Sequence, residues 1–207
     1  AHSPDWTKAI HATKIVREIR NIPTRRKWQG EREGQSTGSS RPKPCRRARL
    51  PGDMRHAARP NMAADAFILR EATEADLPAI VAIYNATIPG RMVTADLEPV
   101  TVESRRPWFA AHQNPSRPLW VLVDSSRIVR AWLSFDTFYA RAAYDGTAMI
   151  AIYVDPASRR TGLGRRLLQT ALDRAPSLGL HTLLGYIFGH NEPSLRLFSA
   201  YGFQRWA

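Results

Sequence analysis

A basic turn with two glycines is the stretch of this sequence best suited to bind an anion. An apolar, β-branched run at 150–154 predicts a buried strand, and Asp155-Pro156 ends it, since proline cannot donate to a β ladder. The turn Arg159-Arg160-Thr161-Gly162-Leu163-Gly164 follows, and leucines at helical spacing predict a helix directly after it. Glycines allow close backbone approach, and the free N–H groups and dipole of a helix N-terminus favour negative charge. This order of elements predicts a site for a phosphate-bearing ligand.

The turn matches neither of the two best-known phosphate loops. It lacks the Gly-Lys-Ser/Thr ending of a nucleoside triphosphate loop, and its glycines do not have the spacing of the dinucleotide fingerprint. A glycine-containing surface turn ahead of an ordinary helix explains these six residues equally well. The rest of the chain has to decide between the two interpretations.

Length and composition describe a globular protein with an additional segment. The chain has 207 residues, of which 43% are hydrophobic, and no apolar run approaches the ~18 residues of a membrane-spanning helix. No membrane association is therefore expected. The single cysteine, Cys45, excludes a disulfide framework and is typical of a reducing cytoplasm.

The positive charge is concentrated in the first part of the chain. Residues 1–61 carry a net charge of +10 out of a total of +12. The pattern at 10–22 favours a helical turn or two, and the run of Gly, Ser, Pro and Arg at 30–60 has too little apolar surface to fold. A basic tail could bind nucleic acid through charge alone. The favoured interpretation is a disordered extension without a dedicated role, followed by a domain at 62–207.

The remaining sequence alternates between predicted strands and helices, which indicates an α/β (α+β) domain. Thr73 and Asp76 are spaced as a helix cap, and the turn at 124–127 between two apolar runs is a hairpin signal. Strands are expected at 67–70, 119–123, 128–135, 150–154 and 181–187, and helices at 77–84, 101–112, 163–175 and 192–201.

Several short motifs together resemble the GCN5-related N-acetyltransferases, specifically the phosphinothricin acetyltransferase branch. The turn itself is similar to that family's Arg/Gln-x-x-Gly-x-Gly/Ala signature, which holds the pyrophosphate of acetyl-CoA. The resemblance covers about 67–206 and includes Leu69-Arg70-Glu71-Ala72-Thr73, Ile83-Tyr84-Asn85, Leu97-Glu98-Pro99-Val100, Ile152-Tyr153-Val154-Asp155-Pro156, Asn191-Glu192-Pro193-Ser194 and Tyr201-Gly202-Phe203.

The resemblance implies a mixed sheet that splays beside its central strand, with acetyl-CoA entering the gap. The central strand 152–154 would pair with the pantetheine amides, and the turn would take the pyrophosphate. Asn191 would reach the pantetheine arm, with Ser194 a weaker candidate, although Asn191 also suits a plain helix cap. The expected cofactor-binding residues are Ile152, Tyr153, Val154, Arg159, Arg160, Thr161, Gly162, Leu163, Gly164, Asn191 and Ser194. No metal is implied.

The general base that amine acetylation requires is not evident. An aliphatic amine is protonated at neutral pH, so a carboxylate or an ordered water has to take its proton. The branch uses a glutamate on the central strand, but this sequence has Met149 there, which cannot accept a proton. Asp136, Asp145 and His190 are the remaining candidates, each also explained as an ordinary loop or turn residue.

The expected function is acetyl transfer from acetyl-CoA to the primary amine of a small, amino-acid-like acceptor. Tyr84, Tyr139 and Tyr144 are candidates for the acceptor pocket. The alternative is a CoA-binding domain with impaired catalysis; nucleic-acid binding through 1–61 is less favoured. Dimers are common in this branch. The family continues for two more strands after Gly202-Phe203, so the C-terminal strands are expected to be missing and an edge of the last strands uncovered.

Overall fold

A computed structural model of the chain describes residues 12–19 and 66–206. In these ranges a seven-stranded mixed sheet is covered by two helices on each face. The expected α/β fold is confirmed. The strands are β1 (Ala12–Glu18), β2 (Ile68–Glu71), β3 (Leu119–Val123), β4 (Val129–Thr137), β5 (Thr147–Val154), β6 (Thr182–Phe188) and β7 (Gln204–Trp206), and the helices are α1 (Leu77–Asn85), α2 (Val102–Ala111), α3 (Leu163–Arg174) and α4 (Glu192–Ala200).

The sheet has the order β2-β3-β4-β5-β6-β1-β7, and only the β5–β6 pair is parallel. The alternation of side chains along each strand separates two hydrophobic clusters. One lies between the sheet and helices α3 and α4, and includes Leu133 and Leu167. The other lies between the sheet and helices α1 and α2, and includes Ile80 and Trp132.

The segment 10–22 contains a strand, so its prediction as a short helix is wrong. β1 pairs antiparallel with β6 over seven residues and with β7 over three. Ile15 is only 2% exposed and belongs to the α3–α4 cluster. Its register partner is Gly185, where an added Cβ would lie 3.2 Å from Ile15 Cγ1. Long-range pairing overrides a weak local helical pattern here, as is common for β-branched residues.

β1 also removes the uncovered edge that the sequence predicts for β6. β6 has β5 on one side and β1 on the other, and β7 at Gln204–Trp206 supplies one strand after Gly202-Phe203. Arg17 at the end of β1 donates to the Tyr201 carbonyl. The strand predicted to lie in a disordered extension therefore belongs to the folded sheet, while the disorder expected for 20–61 lies outside the described residues.

The entrance to α1 is held by a carboxylate that accepts from several donors. Asp76 accepts from the Arg70 guanidinium at 2.6 and 2.8 Å and from the Thr73 N–H at 2.7 Å. The Thr73 hydroxyl also donates to Asp76, so the predicted cap is centred on the carboxylate. The hydrogen bond from Arg70 outweighs the opposing effect of burial and holds the pKa of Asp76 below its usual value.

Replacing Asp76 with asparagine is expected to lower the free energy of unfolding by about 1–2 kcal/mol at neutral pH. Because the folded-state pKa is depressed, this contribution is complete above the ordinary carboxyl range and is lost as pH falls through the folded-state pKa. Urea unfolding of both proteins at pH 7 and in acid measures it. A difference that persisted unchanged in acid would contradict the ionic origin.

Candidate active site

The sheet opens between β5 and β6, as the resemblance implies. The two strands pair only at Thr147–Met149 with Thr182–Leu184. β5 then continues to Val154 and β6 to Phe188 without pairing to each other. The edge of β5 that faces this gap therefore has no strand partner over its last five residues. We call the gap the splay and its closed end, at Met149 and Leu184, the apex.

The predicted anion turn lies at the open end of the splay, between β5 and α3. Gly162 precedes the first residue of α3 with a φ of 91°, and Arg160 has a φ of 64°. Such positive φ values are natural for glycine and uncommon for other residues. No side chain caps the helix at Gly162, so the first N–H groups of α3 have no side-chain acceptor there. Arg159 and Arg160 are exposed beside them, which concentrates positive charge at the turn.

Asn191 caps α4 at the opposite side of the opening. Its Oδ1 accepts from the Ser194 N–H at 3.3 Å, and its Nδ2 donates to the Met92 carbonyl at 2.9 Å. The side chain is buried, and Ser194 is partly buried. The cap interpretation of Asn191 is therefore confirmed, and the residue also ties α4 to the loop after α1. One amide N–H of Asn191 remains for another acceptor.

An aromatic wall lines the α1–α2 side of the sheet next to the splay. The Tyr153 ring stacks on Trp132 at 4.4 Å, and the Tyr84 ring lies 5.2 Å from Tyr153. The Arg105 guanidinium lies 4.7 Å from the centre of the Tyr84 ring. Tyr84 donates to Asp96 at 2.6 Å. Tyr84, which the sequence suggests for the acceptor pocket, therefore lies in this wall against Tyr153.

Both tyrosines of this wall keep their protons at neutral pH. Burial is the largest cause that raises the pKa of Tyr84, and the hydrogen bond to Asp96 adds to it. Burial likewise raises the pKa of Tyr153 far above its usual value. The sequence indicated a role for the Tyr153 backbone only. Its side chain, which points to the opposite face from Ile152 and Val154, was missed.

Tyr139 and Tyr144 form a separate aromatic group on the loop after β4. Their ring centres lie 5.5 Å apart, and both contact Phe138. They are 58% and 40% exposed. Because β4 ends at the apex, this loop borders the site, but no contact joins it to the Tyr84–Tyr153 wall among the described interactions.

Met149 and Asp136 are register partners on β5 and β4. Directly opposite residues of an antiparallel pair point to the same face, with Cβ atoms about 4.5–5.5 Å apart. Asp136 Oδ1 accepts from Trp108 Nε1 at 3.0 Å and Oδ2 accepts from Ser134 Oγ at 2.6 Å. His112 Nε2 lies 3.4 Å from Oδ1, within ion-pair range but without the alignment of a hydrogen bond.

The surroundings keep Asp136 ionised. Burial is the largest single influence and raises the pKa of Asp136. The contact and charge of His112, together with the hydrogen bonds from Ser134 and Trp108, lower the pKa by more than burial raises it. The net result is a pKa below the usual value. Of the three candidate bases, Asp136 alone therefore combines an anionic side chain with a position at the apex.

The other two candidates lie away from the apex. Asp145 is exposed on the loop before β5, where its carbonyl accepts from Arg117 at 2.7 Å. His190 is exposed just after β6, at the open end of the splay, and its Nε2 contacts the Arg91 carbonyl at 3.0 Å. The structure brings neither to Met149.

Sequence reasoning missed the α2 side chains that complete the site. Trp108 was not among the residues that the sequence singled out, and His112 was only the last residue of the helix predicted at 101–112. Their separation of four residues places both on one helical face, which is a usable signal, but only the packing of α2 on the sheet shows that this face meets Asp136. Arg105 lies on the same helix and contacts the Trp108 ring at 5.9 Å.

The described residues place limits on other kinds of site. Across 12–19 and 66–206, no group of three or more His, Cys, Asp or Glu side chains is arranged to hold a metal ion. No helix in these same ranges is long and apolar enough to cross a membrane.

Comparison with known proteins adds a consistent set of relatives. The model of the acetyltransferase (GNAT) family matches residues 79–203. YwnH of Bacillus subtilis, which carries the name of a candidate phosphinothricin acetyltransferase, is 56% identical over 138 residues, 67% of this chain and 84% of that protein. The L-methionine sulfoximine/L-methionine sulfone acetyltransferase of Pseudomonas paraeruginosa is 32% identical over 66% of this chain and 79% of the relative.

Solved structures of acetyltransferases also resemble this chain. The protein yncA from Salmonella typhimurium, described as a candidate acetyltransferase and determined with its cofactor acetyl-CoA, superposes with a TM-score of 0.63 at 30% identity, covering 69% of this chain and 82% of that one. A phosphinothricin acetyltransferase from Sinorhizobium meliloti in complex with acetyl-CoA gives 0.63 at 27% identity, covering 67% and 75%.

Proposed function

Because the chain belongs to the GNAT family of acetyltransferases, we propose that it transfers the acetyl group of acetyl-CoA to the primary amine of a small, amino-acid-like acceptor. The observation that carries the proposal is the unpaired edge of β5 leading into the uncapped N-terminus of α3. An extended amide-bearing arm can add to a free strand edge, and a pyrophosphate suits a helix N-terminus with two adjacent arginines. The relatives named for phosphinothricin and methionine sulfoximine suggest the acceptor class.

The residues beside the splay and at the turn suit the pantetheine arm and the pyrophosphate of acetyl-CoA. The backbone of Ile152 and Val154 would hold the pantetheine amides, with Tyr153 between them. The N-terminal end of α4 would border the pantetheine arm. Asn191 would contact the arm through its remaining side-chain N–H, and Ser194 would lie beside it. The pyrophosphate would be held by the residues of the anion turn, Arg159, Arg160, Thr161, Gly162, Leu163 and Gly164.

Acetyl-CoA supplies a thioester carbonyl, and the protein's part is to orient it beside the amine. A thioester held along β5 would have its reactive end near the apex, next to the aromatic wall of Tyr84 and Tyr153. Fixing two reactants in this way provides much of the rate enhancement of a direct transfer. Tyr139 and Tyr144 on the adjacent loop would border the acceptor. A single cysteine and acetyl-CoA as co-substrate both suit a cytoplasmic location.

Calorimetric titration of acetyl-CoA into the full chain, followed by a panel of amines, tests the proposal. We expect saturable binding and release of free CoA thiol with phosphinothricin, methionine sulfoximine or a related amino acid, with the acetylated product identified by mass spectrometry. The absence of acetyl-CoA binding by the folded chain would contradict the proposal. Binding without turnover of any amine would favour the alternative of a CoA-binding domain with impaired catalysis, for which Met149 is the motivating feature.

A further inference from the structure

The apex of the splay has a carboxylate, although it is not on β5. Met149 lies where a thioester held along β5 would end, and its side chain cannot take a proton. Asp136, its register partner on β4, points to the same face of the sheet at a separation of about 4.5–5.5 Å between Cβ atoms. A small amine next to Met149 would therefore also be next to Asp136.

The Asp136 carboxylate is held in place but not fully occupied. Trp108 and Ser134 each donate one hydrogen bond, to different oxygens. An ionised carboxylate offers about four acceptor positions, so these two bonds leave acceptor capacity for a further donor. The side chain is 26% exposed, which leaves a route for that donor to approach.

His112 is a buried ionisable group with an unpartnered nitrogen directed at this carboxylate. Its side chain is 4% exposed, its Nδ1 lies 2.8 Å from the Trp108 carbonyl, and Nε2 has no hydrogen bond. Nε2 faces Asp136 Oδ1 at 3.4 Å. Nε2 therefore adds a third contact to the carboxylate, beside the hydrogen bonds from Trp108 and Ser134.

We propose that Asp136 binds the ammonium group of the acceptor amine at the apex and takes its proton, with His112 as a positioning residue. The inference rests on the proposed acetyl transfer. One proton passes from the ammonium to Asp136 and on to solvent, and the freed nitrogen lone pair attacks the thioester carbonyl carbon. A C–N bond forms as the C–S bond breaks, and the CoA thiolate receives the second proton lost by nitrogen.

Asp136→Asn in the full chain is the first test. The amide keeps the size of the side chain and can still accept from Trp108, but it neither attracts an ammonium nor takes a proton. We expect kcat/KM for the best amine to fall by about 100-fold or more near neutral pH, with a raised KM for the amine and unchanged acetyl-CoA affinity. Asp173→Asn, the same change at an exposed position on α3, is the matched control and should leave all of these values unchanged.

Two readouts separate this role from a purely structural one. The loss of kcat/KM in Asp136→Asn should become smaller as pH rises from about 7.5 towards the pKa of the amine, because the substrate then arrives already deprotonated. This pH range lies above the ordinary pKa range of histidine. The titratable groups facing Asp136 among the described residues are His112, directly after α2, and Tyr153 from β5. Adding Met149→Glu to Asp136→Asn should restore at least about tenfold in kcat/KM, since it returns a carboxylate to the apex.

A further variant leaves Asp136 intact. Met149→Lys places an ammonium beside the carboxylate, where it should compete with the acceptor and raise the KM for the amine at least about tenfold without weakening acetyl-CoA binding. An unchanged KM would contradict the inference. So would wild-type kcat/KM in Asp136→Asn, or a deficit that is constant with pH and not restored by Met149→Glu. If the unmodified chain acetylates no amine, it is the proposed function that fails.

Discussion

A chain carrying Ile15→Asp is expected to lose most of its folding stability, although residue 15 is distant in sequence from the motifs of the active site. Ile15 is 2% exposed and packs on Gly185 and the α3–α4 cluster. Ile15→Ala should cost about 2–5 kcal/mol through the cavity it leaves. An aspartate at the same point adds the cost of an unpaired buried charge. Against a typical total of about 5–15 kcal/mol, this is enough to release β1 or unfold the sheet.

Lys14→Asp provides the matched control for this prediction. It introduces the same residue one position earlier, on the opposite, exposed face of the strand, because side chains alternate along β1. Its cost should be limited to weak contacts with the Tyr186 and Trp206 rings, about 0.5–1 kcal/mol. Thermal and urea unfolding measure all three variants. If Ile15→Asp matched Lys14→Asp in stability, β1 would not be part of the folded domain.

Substitutions at Ile15 should also weaken ligand binding, because β6 contacts both β1 and the splay. β6 forms one wall of the splay and is held on its other side by β1. We therefore expect Ile15→Ala to weaken acetyl-CoA binding even under conditions in which the chain is folded. Residues 62–207 alone lack β1, so we expect that piece to bind acetyl-CoA more weakly than the full chain.

The second large effect is expected at the anion turn. Gly162→Val should weaken acetyl-CoA binding by at least about 100-fold. A β-branched residue does not tolerate a φ of 91°, so the turn must rearrange and the first N–H groups of α3 change direction. Loss of two charge-assisted hydrogen bonds to a pyrophosphate, at about 1.5–3 kcal/mol each, accounts for that magnitude.

Gly179→Val separates lost binding from lost stability. Gly179 has a similar φ of 75°, and nothing lies within 4 Å of a Cβ added there. Both variants should therefore carry a comparable backbone penalty, about 1–2 kcal/mol, but only Gly162→Val should lose the ligand. Calorimetry with acetyl-CoA and a thermal melt of each protein measure the two effects. Equal affinity in both variants would mean that the turn does not hold the pyrophosphate.

Helices, strands and turns whose signals are local could be predicted from the order of the amino acids. The predicted strands and helices between 67 and 201 are present with small shifts at their ends, and the glycine turn stands between β5 and α3 as expected. These features follow from side-chain period, caps and turn residues, which act over a few neighbouring positions. The motifs around the turn were also sufficient to indicate the family.

Contacts between residues distant in the sequence could not be predicted in this way. β1 joins β6 across more than 160 residues of sequence, and its local pattern favoured a helix. Likewise, Met149 indicated a missing carboxylate, but nothing local placed Asp136 opposite it or directed His112 at that carboxylate. Strand register and helix packing fix these contacts through the burial of whole faces. One strand's sequence does not specify which partner strand it will face.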